Sequence, residues 1–150
     1  MKYTTFGRNT GLRVSELALG TGNFGTGWGY GSEKEQAKQV FDRYVDAGGN
    51  FIDTADTYQF GQSEQMVGDF IAAERDRFVV ATKYTLGAAP DAGIAYTGNS
   101  RKNMIASVES RGLGSNGTKN AVKRLIGVVN MIKINLLLIA RSFNFEIQPI

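Results

Sequence analysis

Three short apolar runs, each followed by a polar turn and a segment of helical periodicity, constrain the fold of this chain most. The runs are Leu17–Gly20, Asn50–Asp53 and Arg77–Lys83. Apolar side chains recur at helical spacing between residues 33 and 47 and between residues 63 and 73. Strands that alternate with helices pair in parallel through right-handed crossovers. The pattern predicts an α/β fold and leaves a doubly wound sheet and a barrel open.

Local signals mark the ends of the predicted elements. Lys2–Phe6 and Leu12–Leu17 flank a turn-rich segment and predict a β-hairpin. Ser32 and Ser100 are predicted to cap the helices that follow them, and Ala47-Gly48-Gly49 ends the first helix. Helical spacing also predicts which residues face inward. They are Ala37, Val40, Phe41, Tyr44 and Val45 in the first helix and Met66, Val67, Phe70 and Ile71 in the second.

Two missing residue types narrow the chemistry. The chain contains no Cys and no His. Disulfides, thiolate or imidazole metal sites and nucleophiles activated by histidine are therefore excluded, and we expect no metal site. Catalysis in this chain must use Asp, Glu, Lys, Tyr or Arg.

Charge is unevenly distributed along the chain. Residues 1–110 carry 11 Lys and Arg against 13 Asp and Glu, whereas residues 111–150 carry 6 against 1. The longer part lacks the basic footprint of a nucleic-acid-binding protein, and the basic residues between 119 and 124 are expected to form a solvated face. The first residues do not resemble a signal peptide, and Leu125–Ala140 is shorter than the ~20 residues that span a bilayer. We expect a soluble cytoplasmic protein that binds neither nucleic acid nor membrane.

Polar side chains follow the predicted strands. Asp53 ends the second run, Tyr58 lies in the turn after it, and Lys83 ends the third run. Parallel α/β folds build their sites at the carboxyl ends of the strands, so these side chains are expected to converge. An ammonium group close to a phenol favours the phenolate, and a carboxylate keeps that ammonium charged and oriented. Such a trio is a general acid suited to protonating a carbonyl oxygen as hydride reaches the carbon.

The glycine-rich segment Gly20–Gly31 is open to two interpretations. Its glycines occur at several spacings, but no acidic residue follows at the distance typical of a Rossmann dinucleotide site. A flexible loop is the alternative. Within the segment, Trp28 and Tyr30 either line a substrate pocket or cover the rim of the fold.

Several runs resemble the aldo-keto reductase family. The longest is Asp53-Thr54-Ala55-Asp56-Thr57-Tyr58-Gln59-Phe60-Gly61-Gln62-Ser63-Glu64, and shorter ones are Leu19–Gly22, Gly49–Asp53 and Val80–Lys83. The resemblance covers residues 1–109. It implies a (β/α)8 TIM barrel whose floor is plugged by the N-terminal hairpin. It also implies an NADP-dependent oxidoreductase that reduces small-molecule carbonyl compounds to alcohols.

The resemblance assigns a role to each residue that matches the family motif. Tyr58 would be the general acid, assisted by Lys83, which would pair with Asp53. The residues that would face the NADP cofactor are Gly20, Thr21, Gly22 and Asp53.

The chain departs from the family in its second part. A full barrel takes about 250 residues, whereas this chain has 150. The family's histidine at the end of strand four has no counterpart, and the faintly similar run Asn135–Ala140 ends in alanine. We hypothesise that residues 110–150 arose by a frameshift, truncation or fusion. The later strands supply much of the family's adenosine and 2′-phosphate pocket, so poor cofactor affinity is expected.

We therefore predict the first three to four β/α units of such a barrel, with the family's oxidoreductase activity. One alternative is a truncated, non-catalytic fragment of such an enzyme. The other is an interaction module that binds a partner through its basic tail.

Overall fold

The fold is that of a computed structural model, which describes residues 1–110. In this part of the chain, five short strands and three α-helices follow one another. In chain order they are β1 (Tyr3–Thr5), β2 (Arg13–Ser15), β3 (Leu19–Gly20), α1 (Lys34–Asp46), β4 (Phe51–Asp53), α2 (Gln62–Ile71), β5 (Val79–Ala81) and α3 (Arg101–Ser110). Short 3₁₀ segments occupy Tyr58–Gly61, Ala72–Arg77 and Ile94–Tyr96.

Strands β3, β4 and β5 form a parallel sheet in that order. The register places Gly20 beside Asp53 and Asp53 beside Ala81, so the three strands end level. Helices α1 and α2 connect successive strands, as the alternating pattern predicted. The predicted partial (β/α) architecture is confirmed. Within residues 1–110 the parallel sheet has three strands and is open rather than closed into a barrel.

Strands β1 and β2 pair antiparallel, which confirms the predicted hairpin. The rings of Phe6, after β1, and Phe51, in β4, lie 5.0 Å apart. Asn50 binds the hairpin backbone through both ends of its amide: Oδ1 accepts the Ser15 N–H at 2.7 Å, and Nδ2 donates to the Arg13 carbonyl at 3.1 Å. The hairpin therefore covers the amino ends of the strands, opposite to the edge at which they terminate.

Helices α1 and α2 bury apolar side chains against one face of the parallel sheet. Ile52, in the central strand, is fully buried among them. The buried cluster consists of Phe24, Ala37, Phe41, Ile52, Val67, Ile71, Phe78 and Val80. Leu19, Val45, Met66 and Phe70 are partly buried against it. Full burial of one such large aliphatic or aromatic side chain contributes about 1.5–3 kcal/mol, so this cluster dominates the packing of the unit.

Two predictions about α1 are wrong. Its N-cap residue is Glu33 rather than Ser32, and no side chain caps the helix. Ser32 uses its own backbone to bond the preceding loop: its N–H donates to the Asn23 carbonyl at 2.8 Å, and its carbonyl accepts the Gly25 N–H at 2.9 Å. Val40, predicted to face inward, is 48% exposed. It lies about 100° around the helix from the buried Phe41, which takes it off the contact stripe.

Helix α3 is anchored to the loop before it. Ser100 Oγ accepts the Asn103 N–H at 3.0 Å, as predicted for a capping serine. The Asn103 side chain is buried and donates to the carbonyls of Tyr84 (3.2 Å) and Gly98 (2.9 Å). These bonds tie the loop after β5 to the first turn of α3.

A single phenol hydroxyl, that of Tyr44, joins α1, the hairpin and the sheet. Tyr44 Oη lies 2.8 Å from Ser15 Oγ, donates to the Phe51 carbonyl at 2.7 Å and accepts the Phe51 N–H at 3.0 Å. The ring packs against Gly49, where a Cβ atom would come within 2.2 Å of it. Gly49 is therefore needed for this contact, whereas Gly48, with φ 87°, is the left-handed residue that follows the helix end.

Several sequence-based expectations concern residues 111–150 and lie outside the described residues. They are the basic face between residues 119 and 124, the apolar stretch Leu125–Ala140 and the run Asn135–Ala140. Among the helices of residues 1–110, none has the length and apolar character needed to cross a membrane.

The Tyr44 hydroxyl provides a test of this fold. Tyr44→Phe should lower the free energy of unfolding by about 1–3 kcal/mol, because buried partners in β2 and β4 lose their hydrogen-bond partner. Urea unfolding followed by circular dichroism measures the change. The matched control is Tyr3→Phe, which removes one exposed bond, to the Gly48 carbonyl at 2.7 Å. Equal effects of the two substitutions would contradict the role given to Tyr44.

Candidate active site

The side chains of Asp53, Tyr58 and Lys83 lie within hydrogen-bonding distance at the carboxyl ends of β4 and β5. Lys83 Nζ donates to Asp53 Oδ2 at 2.7 Å and to Tyr58 Oη at 3.2 Å. The Asp53 and Lys83 side chains are 30% and 24% exposed, so solvent and a ligand can both reach the pair. The three residues that we expected to converge are thus brought to one rim.

A third bond fixes the direction of the Lys83 ammonium group. Besides Asp53 and Tyr58, Lys83 Nζ donates to the Thr54 carbonyl at 2.9 Å. An ammonium group has three donors, and each has an acceptor here. The nitrogen also lies 4.9 Å from the centroid of the Tyr58 ring, within the range of a cation–π contact. All three N–H groups of the ammonium are therefore used, and the ammonium is held next to the phenol in one orientation.

Threonines that directly follow the three strands are held by the first turn of α2. Ser63 Oγ lies 2.8 Å from both the carbonyl and the hydroxyl oxygen of Thr21, after β3, and 3.1 Å from Thr54 Oγ1, after β4. Thr82, after β5, donates its hydroxyl to Glu64 Oε1 at 2.6 Å. This network was not predicted from the sequence. Its signal was the recurrence of threonine directly after each strand.

Glu64 is a buried carboxyl group in this network. It is 6% exposed, and its burial raises its pKa above the usual 4.5, an effect that the hydrogen bond from Thr82 partly offsets. Asp56, also in the family-like motif, is buried, and its N–H donates to the Lys83 carbonyl at 3.0 Å. Both acidic residues belong to the support behind Lys83, whereas Asp53 faces the rim.

The residues expected to face a cofactor differ in accessibility. Gly20 is exposed, and a Cβ atom at Gly20 would meet nothing within 4 Å. Gly22 is half-buried and faces the Tyr58 ring, 3.9 Å from the position of a Cβ. Thr21 is fully buried, and its hydroxyl lies 3.1 Å from the Asp53 carbonyl. Gly20, Gly22 and Asp53 therefore form the accessible surface, and the Thr21 side chain does not reach it.

An aromatic cluster centred on Trp28 lies beside Tyr58 on the side of the glycine-rich loop (residues 20–31). The half-buried Trp28 indole contacts the Tyr58 ring edge to face, with centroids 6.1 Å apart, and the Phe60 ring in the same way at 6.5 Å. Tyr30 lies 5.9 Å from Trp28 and is 61% exposed. The two aromatic residues of the loop thus differ: Trp28 borders the site, and Tyr30 covers Trp28 from the solvent side.

Two glutamines fasten the glycine-rich loop to the turn that carries Tyr58. Gln59 and Gln62 both bond loop backbone through their side-chain amides. Gln59 and Phe60 have φ values of 52° and 53°, in the left-handed region that non-glycine residues rarely adopt. Neither glutamine was predicted from the sequence, because neither belongs to a recognised catalytic pattern.

Comparison with known proteins identifies relatives with oxidoreductase names. The profile described as "Aldo/keto reductase family" matches residues 16–119. The chain is 41% identical over 111 residues to a norsolorinic acid reductase of Aspergillus flavus, covering 68% of this chain and 29% of that protein. It is 49% identical over 80 residues to an aryl-alcohol dehydrogenase of Pestalotiopsis microspora, covering 50% of this chain and 21% of the relative.

Solved structures give the same result for the fold. The crystal structure of an aldo-keto reductase candidate from Pseudomonas aeruginosa superimposes with a TM-score of 0.59 at 30% identity. The superposition covers 72% of this chain and 40% of that structure. The chain thus spans less than a third of the length of the two named sequence relatives and less than half of that structure.

The raised pKa of Glu64 predicts a pH dependence of stability. As pH rises from below 4.5, the unfolded chain releases this proton before the folded chain does. The stabilisation is therefore complete at low pH and is lost as pH rises through the folded-state value. Glu64→Gln removes the titration and keeps an acceptor for Thr82. The unfolding free energy of Glu64→Gln, relative to that of the unsubstituted chain, should therefore increase as the pH rises from about 4, near the ordinary pKa of a glutamate, to about 7.

Urea unfolding at a series of pH values measures this difference. The matched control is Glu35→Gln, because Glu35 lies in the first turn of α1 but is exposed. A difference for Glu64→Gln that stays flat, or that shrinks with rising pH, would show that burial does not control this group.

Proposed function

Since the chain belongs to the aldo/keto reductase family, we propose that it carries the proton-donating part of an NADPH-dependent site that reduces aromatic aldehydes or ketones to alcohols. The observation that carries the proposal is the position of Lys83 Nζ, bonded to both the Tyr58 hydroxyl (3.2 Å) and the Asp53 carboxylate (2.7 Å). A phenol held beside a fixed ammonium group is a suitable general acid for a carbonyl oxygen.

The proton transfer proceeds from Tyr58 to the carbonyl oxygen of the substrate. The substrate oxygen lies against the Tyr58 hydroxyl and accepts its proton as negative charge develops on that oxygen. The Lys83 ammonium stabilises the phenolate left on Tyr58, and the hydrogen bond to Asp53 holds the ammonium in position. Because the bonds to Asp53 and Thr54 hold Lys83 in place before the reaction, little reorganisation is needed when the charge moves.

The described residues fit the nicotinamide end of a dinucleotide. The surface over Gly20 has open space, and the half-exposed Asp53 carboxylate can accept a hydrogen bond from a ribose hydroxyl. When bound, the reduced cofactor supplies hydride to the carbonyl carbon. Gly20, Gly22 and Asp53 would border the cofactor, with Thr21 holding the strand end behind them.

The aromatic substrate class is proposed from two independent observations. Two relatives carry the names norsolorinic acid reductase and aryl-alcohol dehydrogenase. In this chain, the Trp28 ring lies beside Tyr58, and the Phe60 ring packs against Trp28. Aromatic pairs contribute about 0.5–1.5 kcal/mol beyond their buried area, so a planar ring gains affinity next to the proton donor.

A second candidate function is that of a fragment that does not turn over. It is favoured by the short span of the chain, which covers 29% of the norsolorinic acid reductase from Aspergillus flavus. Titration with NADPH, followed by its fluorescence, separates the candidates. A reductase binds NADPH saturably and oxidises it when benzaldehyde is added, whereas the fragment does neither.

Removal of the proposed acid tests the main proposal. Tyr58→Phe should lower the rate of NADPH oxidation with benzaldehyde by about 10²–10⁴-fold, because the positioned proton donor is lost. The absorbance of NADPH measures the rate. Tyr30→Phe, which alters another aromatic residue of the same region, is the control and should keep the rate. Sustained turnover that Tyr58→Phe leaves unchanged would refute the assignment of the acid.

A further inference from the structure

We propose that Gln59 is a positioning residue: its side chain docks the glycine-rich loop on the Tyr58 turn and so fixes Trp28 as a rigid wall of the site. The catalytic consequence of this docking rests on the proposed function. The docking itself is a property of the folded chain and can be tested without turnover.

Gln59 bonds the loop at two separate points. Its side chain is fully buried, Nε2 donates to the Gly22 carbonyl at 3.0 Å, and Oε1 accepts the Trp28 N–H at 2.9 Å. The first point lies beside the cofactor-facing surface, and the second lies at the aromatic residue that borders Tyr58. A buried amide satisfied at both ends has a defined orientation, and loss of either bond leaves a backbone group without its partner.

Gln62 secures the segment between these two points. Its Oε1 accepts the N–H groups of Thr26 (2.8 Å) and Gly27 (3.1 Å). Together the two glutamine side chains bond four backbone groups of the loop, at Gly22, Thr26, Gly27 and Trp28. The loop is therefore attached along its length rather than hinged at one end.

The glycines of the loop match this close attachment. A Cβ atom at Gly27 would lie 2.6 Å from the Gln59 carbonyl oxygen, and one at Gly25 would lie 2.5 Å from Gln62 Oε1. Neither position has room for a larger residue. Here the glycine pattern serves close packing against the Tyr58 turn, which accounts for glycine spacings that do not follow a dinucleotide-binding motif.

Backbone strain at Gln59 indicates that the side chain is needed there. Gln59 adopts φ 52° and ψ 35°, a conformation that glycine enters more readily. Strained residues persist where the surroundings hold them, and such positions cluster at functional sites. At Gln59 the two hydrogen bonds of the buried side chain offset the strain. A glycine at this position would relieve the strain but would also remove both bonds.

The docked loop determines the surroundings of Tyr58. The Trp28 N–H bond to Gln59 holds the indole edge to face against the Tyr58 ring, with an interplanar angle of 85°. A wall fixed before the substrate arrives avoids the entropic cost of ordering it during binding. Gln59 thus acts on substrate binding through Trp28, without touching the reacting atoms.

Trp28 provides the readout, since it is the single tryptophan of the chain. Gln59→Met keeps a side chain of similar length but lacks both hydrogen bonds. The acrylamide quenching constant of Trp28 should rise about twofold or more toward that of the urea-unfolded chain. The loop that carries Trp28 opens more often because its two hydrogen bonds to Gln59 are lost. The matched control is Gln65→Met, since Gln65 is an exposed residue of α2 and should leave the quenching unchanged.

A second variant separates positioning from global stability. Gln59→Gly relieves the left-handed strain yet still lacks the amide, so quenching should rise while the thermal midpoint falls less than in Gln59→Met. If Gln59→Met fails to fold, the Gln59→Gly variant alone tests whether Gln59 docks the loop. The proposal is overturned if Trp28 in Gln59→Gly stays as protected as in the unsubstituted chain. It is equally overturned if Trp28 of the unsubstituted chain is quenched as readily as in urea.

Turnover adds a separate result. With benzaldehyde and NADPH, Gln59→Met should raise KM by a larger factor than it lowers kcat, because binding to a fixed wall is lost while Tyr58 and Lys83 remain. Absence of turnover in the unsubstituted chain would refute the proposed reductase function and leave the fluorescence result to decide on Gln59. Changed turnover with unchanged Trp28 quenching would refute the role of Gln59.

Discussion

The register of three parallel strands determines where every polar group of the site lies. Gly20, Asp53 and Ala81 are neighbours across the sheet, so the residues just beyond them emerge at one rim. Side-chain contacts from α2 keep the strand ends level: Ser63 spans the ends of β3 and β4, and Glu64 holds the end of β5 through Thr82. The Thr54 carbonyl accepts a hydrogen bond from Lys83. The ordered backbone at the end of β4 therefore fixes the position of the Lys83 ammonium group.

The amino ends of the parallel strands contribute to stability, and their carboxyl ends carry the reactive groups. At the amino ends, Asn50 and Tyr44 bind Ser15 of the hairpin through partly buried hydrogen bonds, and Phe51 packs against Phe6. At the carboxyl ends, Asp53 and Lys83 are partly exposed, and the next residues form turns rather than longer strands. Parallel β/α folds separate stability from chemistry in this way, and the separation already exists in an open sheet of three strands. Substitutions at the chemical end can therefore be tolerated by a core that lies elsewhere.

Features that depend on local pattern were predictable from the sequence. Alternating apolar runs placed the strands, and the position of Asp53 and Lys83 at successive strand ends was enough to expect that they meet. Features that depend on one particular bond between a side chain and a distant backbone group were not predictable. Gln59 bonds a carbonyl 37 residues away in a conformation untypical of glutamine, so neither spacing nor propensity indicated it. Ser32 had the composition of a helix cap, but its backbone bonds to Asn23 and Gly25 placed it outside the helix.

The three reactive groups of the site come from one part of the chain. Lys83 pairs with Asp53 across 30 residues and with Tyr58 across 25. Closing loops of this size carries a modest entropic cost. Because Lys83 follows β5, the carboxylate, the phenol and the ammonium meet when β5 pairs with β4. All three reactive groups therefore lie within the continuous segment 53–83, and their assembly depends on a single strand pairing, that of β4 with β5.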